Sequence, residues 1–298
     1  MRLALTIALS TLLSVHAFAA SLDTARGKVE ITEAPKTVAV YDIGVLDTLD
    51  ALGIQAAGIP ENVKPQFLAE KQQGKTIGTL FEPNLEALAS IQPEIIMIAA
   101  RSAKQYDSVS RIAKTVDLTL ENKNLYQETL NRLTQLGTIF HQEEQAKQWV
   151  EKLNQLKTEA SEAAKGQGKV LAVLVNGPKL SLYGADSRLG WIQSTLGLQL
   201  IDKEKVGNAH GNPISFEFIA QSNPDWIFVI DRSAAIGGDL EAAQSVFNTP
   251  LVQNTKAGKS GRILYLSPAE IYIDIGGPQA LEKTLIDIRD ALRAHPAN

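Results

Sequence analysis

Asn84-Leu85-Glu86, followed by Pro93-Glu94-Ile95-Ile96-Met97-Ile98-Ala99-Ala100-Arg101, recurs as Ser215-Phe216-Glu217, followed by Pro224-Asp225-Trp226-Ile227-Phe228-Val229-Ile230-Asp231-Arg232, at a constant offset of 131 residues. In both copies a residue suited to cap a helix opens a helical pattern with Glu in its first turn. Pro stands seven residues after that Glu, an apolar run follows, and Arg stands eight residues after the Pro. Such a run reads as a strand buried on both faces, the kind found in parallel sheets. Two copies of helix, strand and Arg predict two similar α/β units. Open α/β sheets bind ligands beyond the carboxyl ends of their strands. Arg101 and Arg232 are therefore expected to enter one ligand cleft between two lobes.

The alternation of strand and helix extends outward from both copies. Val38 to Tyr41 reads as a strand, and Ile43 to Leu52 as a helix stopped by Gly53. Leu125 to Lys165 is helical almost throughout, with Gly137 as the expected break. Its second part, residues 142–165, is rich in Ala, Glu, Gln and Lys and reads as one long helix joining the lobes. Strands at Val170 to Val175, Ile227 to Ile230 and Ile263 to Leu266 follow, with helices at Gly190 to Leu196 and Pro278 to Leu292. The expected division is 1–20 as a leader, 21–141 as the N-terminal lobe, 142–165 as the connecting helix and 166–298 as the C-terminal lobe. Trp149, Trp191 and Trp226 read as core or packing residues.

The leader reading rests on Arg2, an apolar stretch from Leu3 to Val15, and Ala17-Phe18-Ala19 as a small-residue cleavage site. The chain has 29 Lys and Arg against 33 Asp and Glu, a mild acidity that argues against nucleic acid as a partner. It contains no cysteine, which excludes disulfides, thiolate zinc sites, Cys nucleophiles and a lipid-modified Cys anchor. The expectation is a soluble, monomeric protein in an exported compartment, a bacterial periplasm.

Signatures of catalysis fail one by one. Ala257-Gly258-Lys259-Ser260 ends like a phosphate-binding loop, but Gln253 occupies the required Gly position. Gly166 and Gly168 precede a strand, whereas a dinucleotide fingerprint follows one, and Leu171 stands where it needs Gly. Neither a G-x-S-x-G elbow nor an H-E-x-x-H pair occurs. Cleavage of the leader removes His16 and leaves His141, His210 and His295, too few for a multi-histidine zinc or manganese carrier. Of these, His210 stands in the irregular loop Gly207-Asn208-Ala209-His210-Gly211-Asn212-Pro213.

Leu52-Gly53-Ile54, Glu82-Pro83-Asn84-Leu85-Glu86, Pro93-Glu94-Ile95-Ile96 and the counterparts Ile214-Ser215-Phe216-Glu217 and Pro224-Asp225-Trp226-Ile227 resemble the periplasmic binding proteins of ABC importers for iron siderophores and vitamin B12. The likeness spans roughly residues 35 to 292. It implies two Rossmann-like lobes, a ligand cleft between them, a single long α-helix as the joint, and little difference between free and bound forms. The contexts Ala100-Arg101-Ser102, Asp186-Ser187-Arg188-Leu189-Gly190, His210-Gly211-Asn212, Asp231-Arg232-Ser233 and Tyr272 before Ile275-Gly276-Gly277 are similar to the catecholate, enterobactin-type subgroup. That resemblance implies Arg101, Arg188 and Arg232 as ligand-binding residues, and His210 and Tyr272 as ligands to ferric iron. Tyr265 is the only other nearby candidate for the tyrosine. Glu86 and Glu217 are implied as the acids that dock each lobe on a permease dimer; electrostatic support of their helix N-termini is a compatible second role.

The implied chemistry suits these side chains. Ferric iron prefers anionic oxygen, and by formal charge two catecholates leave the complex at about −1 and three at about −3. Arginine stays charged, forks onto oxygen pairs and stacks on rings. A ferric bis-catecholate leaves two coordination positions open for His210 and Tyr272, so it is the preferred ligand; a tris-catecholate would be held by the arginines alone. No permanent cofactor is expected, and iron enters only as the siderophore complex. Two alternatives remain at this point: a haem or cobalamin carrier of the same fold, and an exported α/β hydrolase.

Overall fold

The computed structural model describes residues 20–202, 211–237 and 241–296. Strands β1 (Ala20–Thr24) and β2 (Gly27–Ile31) form an antiparallel hairpin at the start of the N-terminal lobe. There follow β3 (Val38–Val40), α1 (Ile43–Ala51), β4 (Gly58–Ile59), α2 (Gln66–Lys71), β5 (Lys75–Thr76), α3 (Leu85–Ser90), β6 (Ile95–Ile98), α4 (Tyr106–Val109) and β7 (Lys114–Asp117). The five strands β5-β4-β3-β6-β7 pair in parallel throughout. All four residues of β6 are buried, Ile95 and Met97 in one apolar cluster and Ile96 and Ile98 in another. That alternation shows a sheet covered on both faces, and it explains why the run is apolar without a break.

Helices α5 (Leu125–Ile139) and α6 (Glu143–Ala164) lead out of this lobe. The expected break at Gly137 is not observed. Helix α5 continues two residues further, and the chain turns at His141, whose φ is +57°. Gly137 serves instead as a contact point: a Cβ there would collide with the Ala146 side chain of α6 and crowd the Gln142 carbonyl. A residue without a side chain marks close packing of two helices here, not a helix end. Helix α6, 22 residues long, spans roughly 33 Å at the usual rise.

The C-terminal lobe comprises β8 (Lys169–Asn176), β9 (Lys179–Leu182), α7 (Gly190–Leu196), β10 (Gln199–Leu200), β11 (Asn212–Ile214), α8 (Phe216–Ser222), β12 (Trp226–Asp231), α9 (Arg232–Ala235), α10 (Glu241–Phe247), α11 (Pro250–Gln253), α12 (Lys256–Lys259), β13 (Ile263–Tyr265), α13 (Pro268–Tyr272) and α14 (Pro278–Ala294). Its sheet runs β11-β9-β8-β12-β13, with β10 beside the start of β8. Here β8 and β9 form an antiparallel hairpin around Asn176-Gly177, and Gly177 takes the positive φ (+57°) of a tight turn. Trp226, Phe228 and Ile230 of β12 face one apolar cluster, and Ile227 and Val229 face the other.

The sequence repeat is a structural one. Asn84 caps α3 by accepting from the Ala87 amide (2.9 Å), and Ser215 caps α8 by accepting from the Phe218 amide (3.4 Å). Each helix leads into the strand that carries an arginine at its far end. Besides α6, the lobes touch through α1 and α14. Asp47 of α1 accepts hydrogen bonds from the backbone amides of Gln279 (3.1 Å) and Ala280 (3.0 Å), so the N-terminal lobe supplies the acidic group for the N-terminus of α14. Among the described residues no helix is long and apolar enough to cross a membrane.

Candidate functional site

Between the lobes, beyond the carboxyl ends of β6 and β12, lies a cleft of about 640 Å³. Arg101, Arg188, Arg232 and Tyr272 all line it. Arg101 sits in a 3₁₀ turn, Ala100–Gln105, directly after β6. Ser102, fully buried, locks that turn: its hydroxyl donates to the Ala99 carbonyl (3.0 Å) and accepts from the Ala99 amide (3.1 Å). Ala100 adopts φ +41°, a conformation costly for a residue with a side chain. Its amide donates to the Thr119 hydroxyl (2.7 Å), which holds the strained residue and aims Arg101 across the cleft. The guanidinium then donates to the Tyr272 carbonyl (2.6 Å) and the Ile273 carbonyl (3.3 Å) of the opposite lobe.

Arg232 opens α9 directly after β12, where Asp231 caps the helix by accepting from the Ala234 amide (3.1 Å). Its Nε donates to the Tyr272 hydroxyl (3.1 Å), and Nη1 donates to Asn176 Oδ1 (3.3 Å). Arg188 stands in the loop before α7. The buried Ser187 pins that loop by donating to the Gly184 carbonyl (2.7 Å), and Gly190 leaves no room for a Cβ against the Ala185 carbonyl.

The three guanidinium carbons lie 5.6 Å (Arg101), 5.2 Å (Arg188) and 6.0 Å (Arg232) from the centroid of the Tyr272 ring. Cations within about 6 Å of an aromatic face are attracted by its quadrupole. Tyr272 therefore partly offsets the mutual repulsion of the arginines. Burial holds the Arg101 guanidinium below its ordinary proton affinity, with Arg188 and Arg232 acting the same way and Asp42 and Tyr272 opposing. The site is preorganised for an anion. Tyr265, the other candidate tyrosine, packs edge-on against Phe247 in the core and is absent from the cleft lining.

His210 lies outside the described residues. Glu86 and Glu217 are exposed in the first turns of α3 and α8. Trp191 and Trp226 are buried, and Trp149 is half-buried with its indole donating to the Ala51 carbonyl (2.9 Å). None of the three lines the cleft.

Below the cleft the sequence reading missed a buried charge cluster. Arg132 of α5 donates to the carbonyls of Gly44 (3.0 Å) and Gly276 (2.7 Å), one from each lobe. Around it lie the buried acids Asp42, Asp47 and Asp274. The Asp274 and Asp47 carboxyls face each other, and both crowd the place where Gly277 would carry a Cβ. Burial raises Asp47 to about 6, and burial together with Asp47 raises Asp274 well above the usual carboxylate range. Two such groups share a proton more easily than both ionise. Asp42 caps α1, Asp47 lies within it, Arg132 is in α5 and Asp274 follows α13, and together they follow no local motif.

A family model described as periplasmic binding protein matches residues 38–270, and the chain belongs to that family. It is 31% identical over 268 residues to the petrobactin-binding protein YclQ of Bacillus subtilis, covering 88% of this chain and 84% of that protein. It is 29% identical to the ferric-anguibactin-binding protein FatB of Vibrio anguillarum, with the same coverage. Among solved structures, the periplasmic catecholate-siderophore binding protein VctP from Vibrio cholerae superposes with a TM-score of 0.84 at 27% identity, covering 92% of this chain and all of that one.

Proposed function

We propose that this protein is an extracytoplasmic carrier, without catalysis, that captures ferric catecholate siderophores and delivers them to an ABC importer permease in the inner membrane. The observation that carries this reading is the convergence of Arg101, Arg188 and Arg232, from both lobes, on one tyrosine ring. A cleft of about 640 Å³ falls within the usual range for small-molecule sites. The names of YclQ, FatB and VctP support a ferric siderophore as the cargo, and VctP supports a catecholate.

The arginines would donate to catecholate oxygens and stack on the rings. Bound anion would relieve the repulsion that the empty cleft stores among the guanidinium groups, so neutral iron chelates should bind more weakly. Tyr272, whose hydroxyl accepts from Arg232 and whose ring lies among the three arginines, is the proposed phenolate donor to iron. His210 is the proposed second donor. Together they would fill the two positions that a bis-catecholate leaves open. Glu86 and Glu217, one per lobe, are the proposed contacts to the two permease subunits, with the carrier acting as a monomer.

The test is an absorption titration of the protein with a ferric bis-catecholamide, run beside Tyr272→Phe and His210→Ala. Tight binding is expected, with a shifted charge-transfer band that both variants lose. Tight binding with an unchanged band in the variants would remove the two iron donors and leave the arginine cleft. Absence of binding, with haem or cobalamin bound instead, would overturn the siderophore reading.

A further inference from the structure

The N-terminal wall of the cleft carries two groups that its C-terminal counterpart lacks. Phe81 lines the cleft with 59% of its surface exposed, the largest exposure among the large hydrophobic side chains of the described residues. It does not dangle. The tip of its loop is closed by the Thr79 amide donating to the Glu82 carbonyl (3.0 Å), and the Thr79 hydroxyl accepts from the amides of Phe81 (3.0 Å) and Glu82 (2.9 Å). Gly78 and Pro83 bridge the base of the loop. The Gln105 side chain donates to the Phe81 carbonyl (2.8 Å) and ties this loop to the 3₁₀ turn that bears Arg101. An exposed aromatic ring carried on a tied loop at the edge of a cleft gains by covering itself with another ring.

Lys104 lies on that same 3₁₀ turn and also lines the cleft, exposed and with no ion pair among the described residues. Side chains three residues apart eclipse on a 3₁₀-helix, so Lys104 stands one turn along from Arg101 on the same face. The lining thus holds five cations, Lys104 and four arginines, and a single carboxylate, Asp42, which burial pushes towards its neutral form. At the repeat offset of 131 residues, Phe81 and Lys104 correspond to Asn212 and Ala235, which offer neither a ring nor a charge.

We propose that Phe81 and Lys104 form a second subsite in the cleft, which takes an additional aryl ring with ionised oxygens, the third arm of a ferric tris-catecholate. This rests on the siderophore reading above and sharpens it. The three arginines grip the part that bis- and tris-catecholates share, while the ring on Phe81 and the charge on Lys104 meet only the larger and more anionic complex. The subsite gives the tris-catecholate a contact beyond the arginines, so the two ligand classes differ at these two residues.

The experiment titrates the wild type, Phe81→Ala and Lys104→Gln with ferric bis- and tris-catecholamides built on one linker, at low and high salt. Phe81→Ala is expected to weaken the tris complex about tenfold. Lys104→Gln is expected to weaken it about fivefold and to flatten its salt dependence. For the bis complex both changes should stay within about twofold. Phe81→Trp, which keeps a ring, should retain the tris affinity. Equal losses for both complexes, or none for either, overturn the subsite and leave the siderophore reading intact. A wild type that binds neither complex overturns that reading and the subsite with it. Both side chains are exposed, so unchanged melting temperatures will verify that the variants fold.

Discussion

The two lobes share one plan and divide the work unequally. Helix, parallel strand and arginine recur at a fixed offset, yet the C-terminal lobe supplies Arg188, Arg232 and Tyr272, while the N-terminal lobe sends Arg101 across to the Tyr272 and Ile273 carbonyls. The stretch between the arginine-bearing strand and its next neighbour is about twice as long in the C-terminal lobe, where α9 to α12 fill it. The N-terminal lobe instead spends its short connection on a strained 3₁₀ turn. A repeated scaffold thus fixes where two arginines point, and unrepeated loops decide what stands around them. One lobe holds the proposed ligand and the other latches onto it.

The strongest challenge to this pairing is Arg132→Met. Arg132 joins carbonyls of both lobes and is buried among Asp42, Asp47 and Asp274. Removing the cation leaves buried acids uncompensated, a change that typically costs about 3–5 kcal/mol. Thermal and denaturant unfolding of the variant should show that loss in one cooperative transition. Two separated transitions in the wild type would mean that the lobes are independent and that the cluster does not couple them.

The division of work is sharpened by comparing Arg232→Ala with Arg101→Ala. Arg232 both faces the cleft and donates to the Tyr272 hydroxyl, so its loss removes a cation and frees the proposed iron donor. A ferric bis-catecholate should bind this variant more weakly by about 1.5–3 kcal/mol, the range for a charge-assisted hydrogen bond. Arg101→Ala should cost about half as much, because Arg101 already shares its donors with two backbone carbonyls. A larger loss at Arg101 would reverse the assignment of holder and latch. Arg232→Lys should recover part of the affinity, since it restores the charge without the planar fork.

What the sequence revealed follows from the range of the interactions involved. The strands, the caps at Asn84 and Ser215 and the arginine after each strand are local patterns, and the constant offset made two lobes legible. Gly137 misled because a glycine that breaks a helix and a glycine that admits Ala146 of a neighbouring helix look alike in one dimension. The hairpin of β8 and β9 had a signal in Asn176-Gly177, although the following Pro obscures the usual pattern. Phe81 and Lys104 carry no motif. They become visible only when the loop tip and the 3₁₀ turn are seen to face one cleft. The carboxyl pair is less legible still, because Asp47 and Asp274 are far apart in sequence and meet only where α1 caps α14.

That pair offers the finest probe of how the lobes are joined. Asp47 and Asp274 titrate at higher pH folded than unfolded, because burial opposes ionisation of both and Asp47 raises Asp274 further. The folded protein therefore binds more protons than the unfolded chain above the ordinary carboxylate range. Their contribution to stability is complete at acid pH and is lost as pH rises, through about 6 for Asp47 and further for Asp274. In Asp274→Asn an amide faces Asp47, so one buried acid disappears and the other gains a hydrogen-bond donor. Between pH 5 and pH 8 the wild type should lose about 1.4 kcal/mol through Asp47 and more through Asp274, and the variant should lose less, so their melting temperatures diverge as pH rises. Parallel melting curves across that window would show that Arg132 already neutralises the pair. The joint between the lobes would then be indifferent to pH.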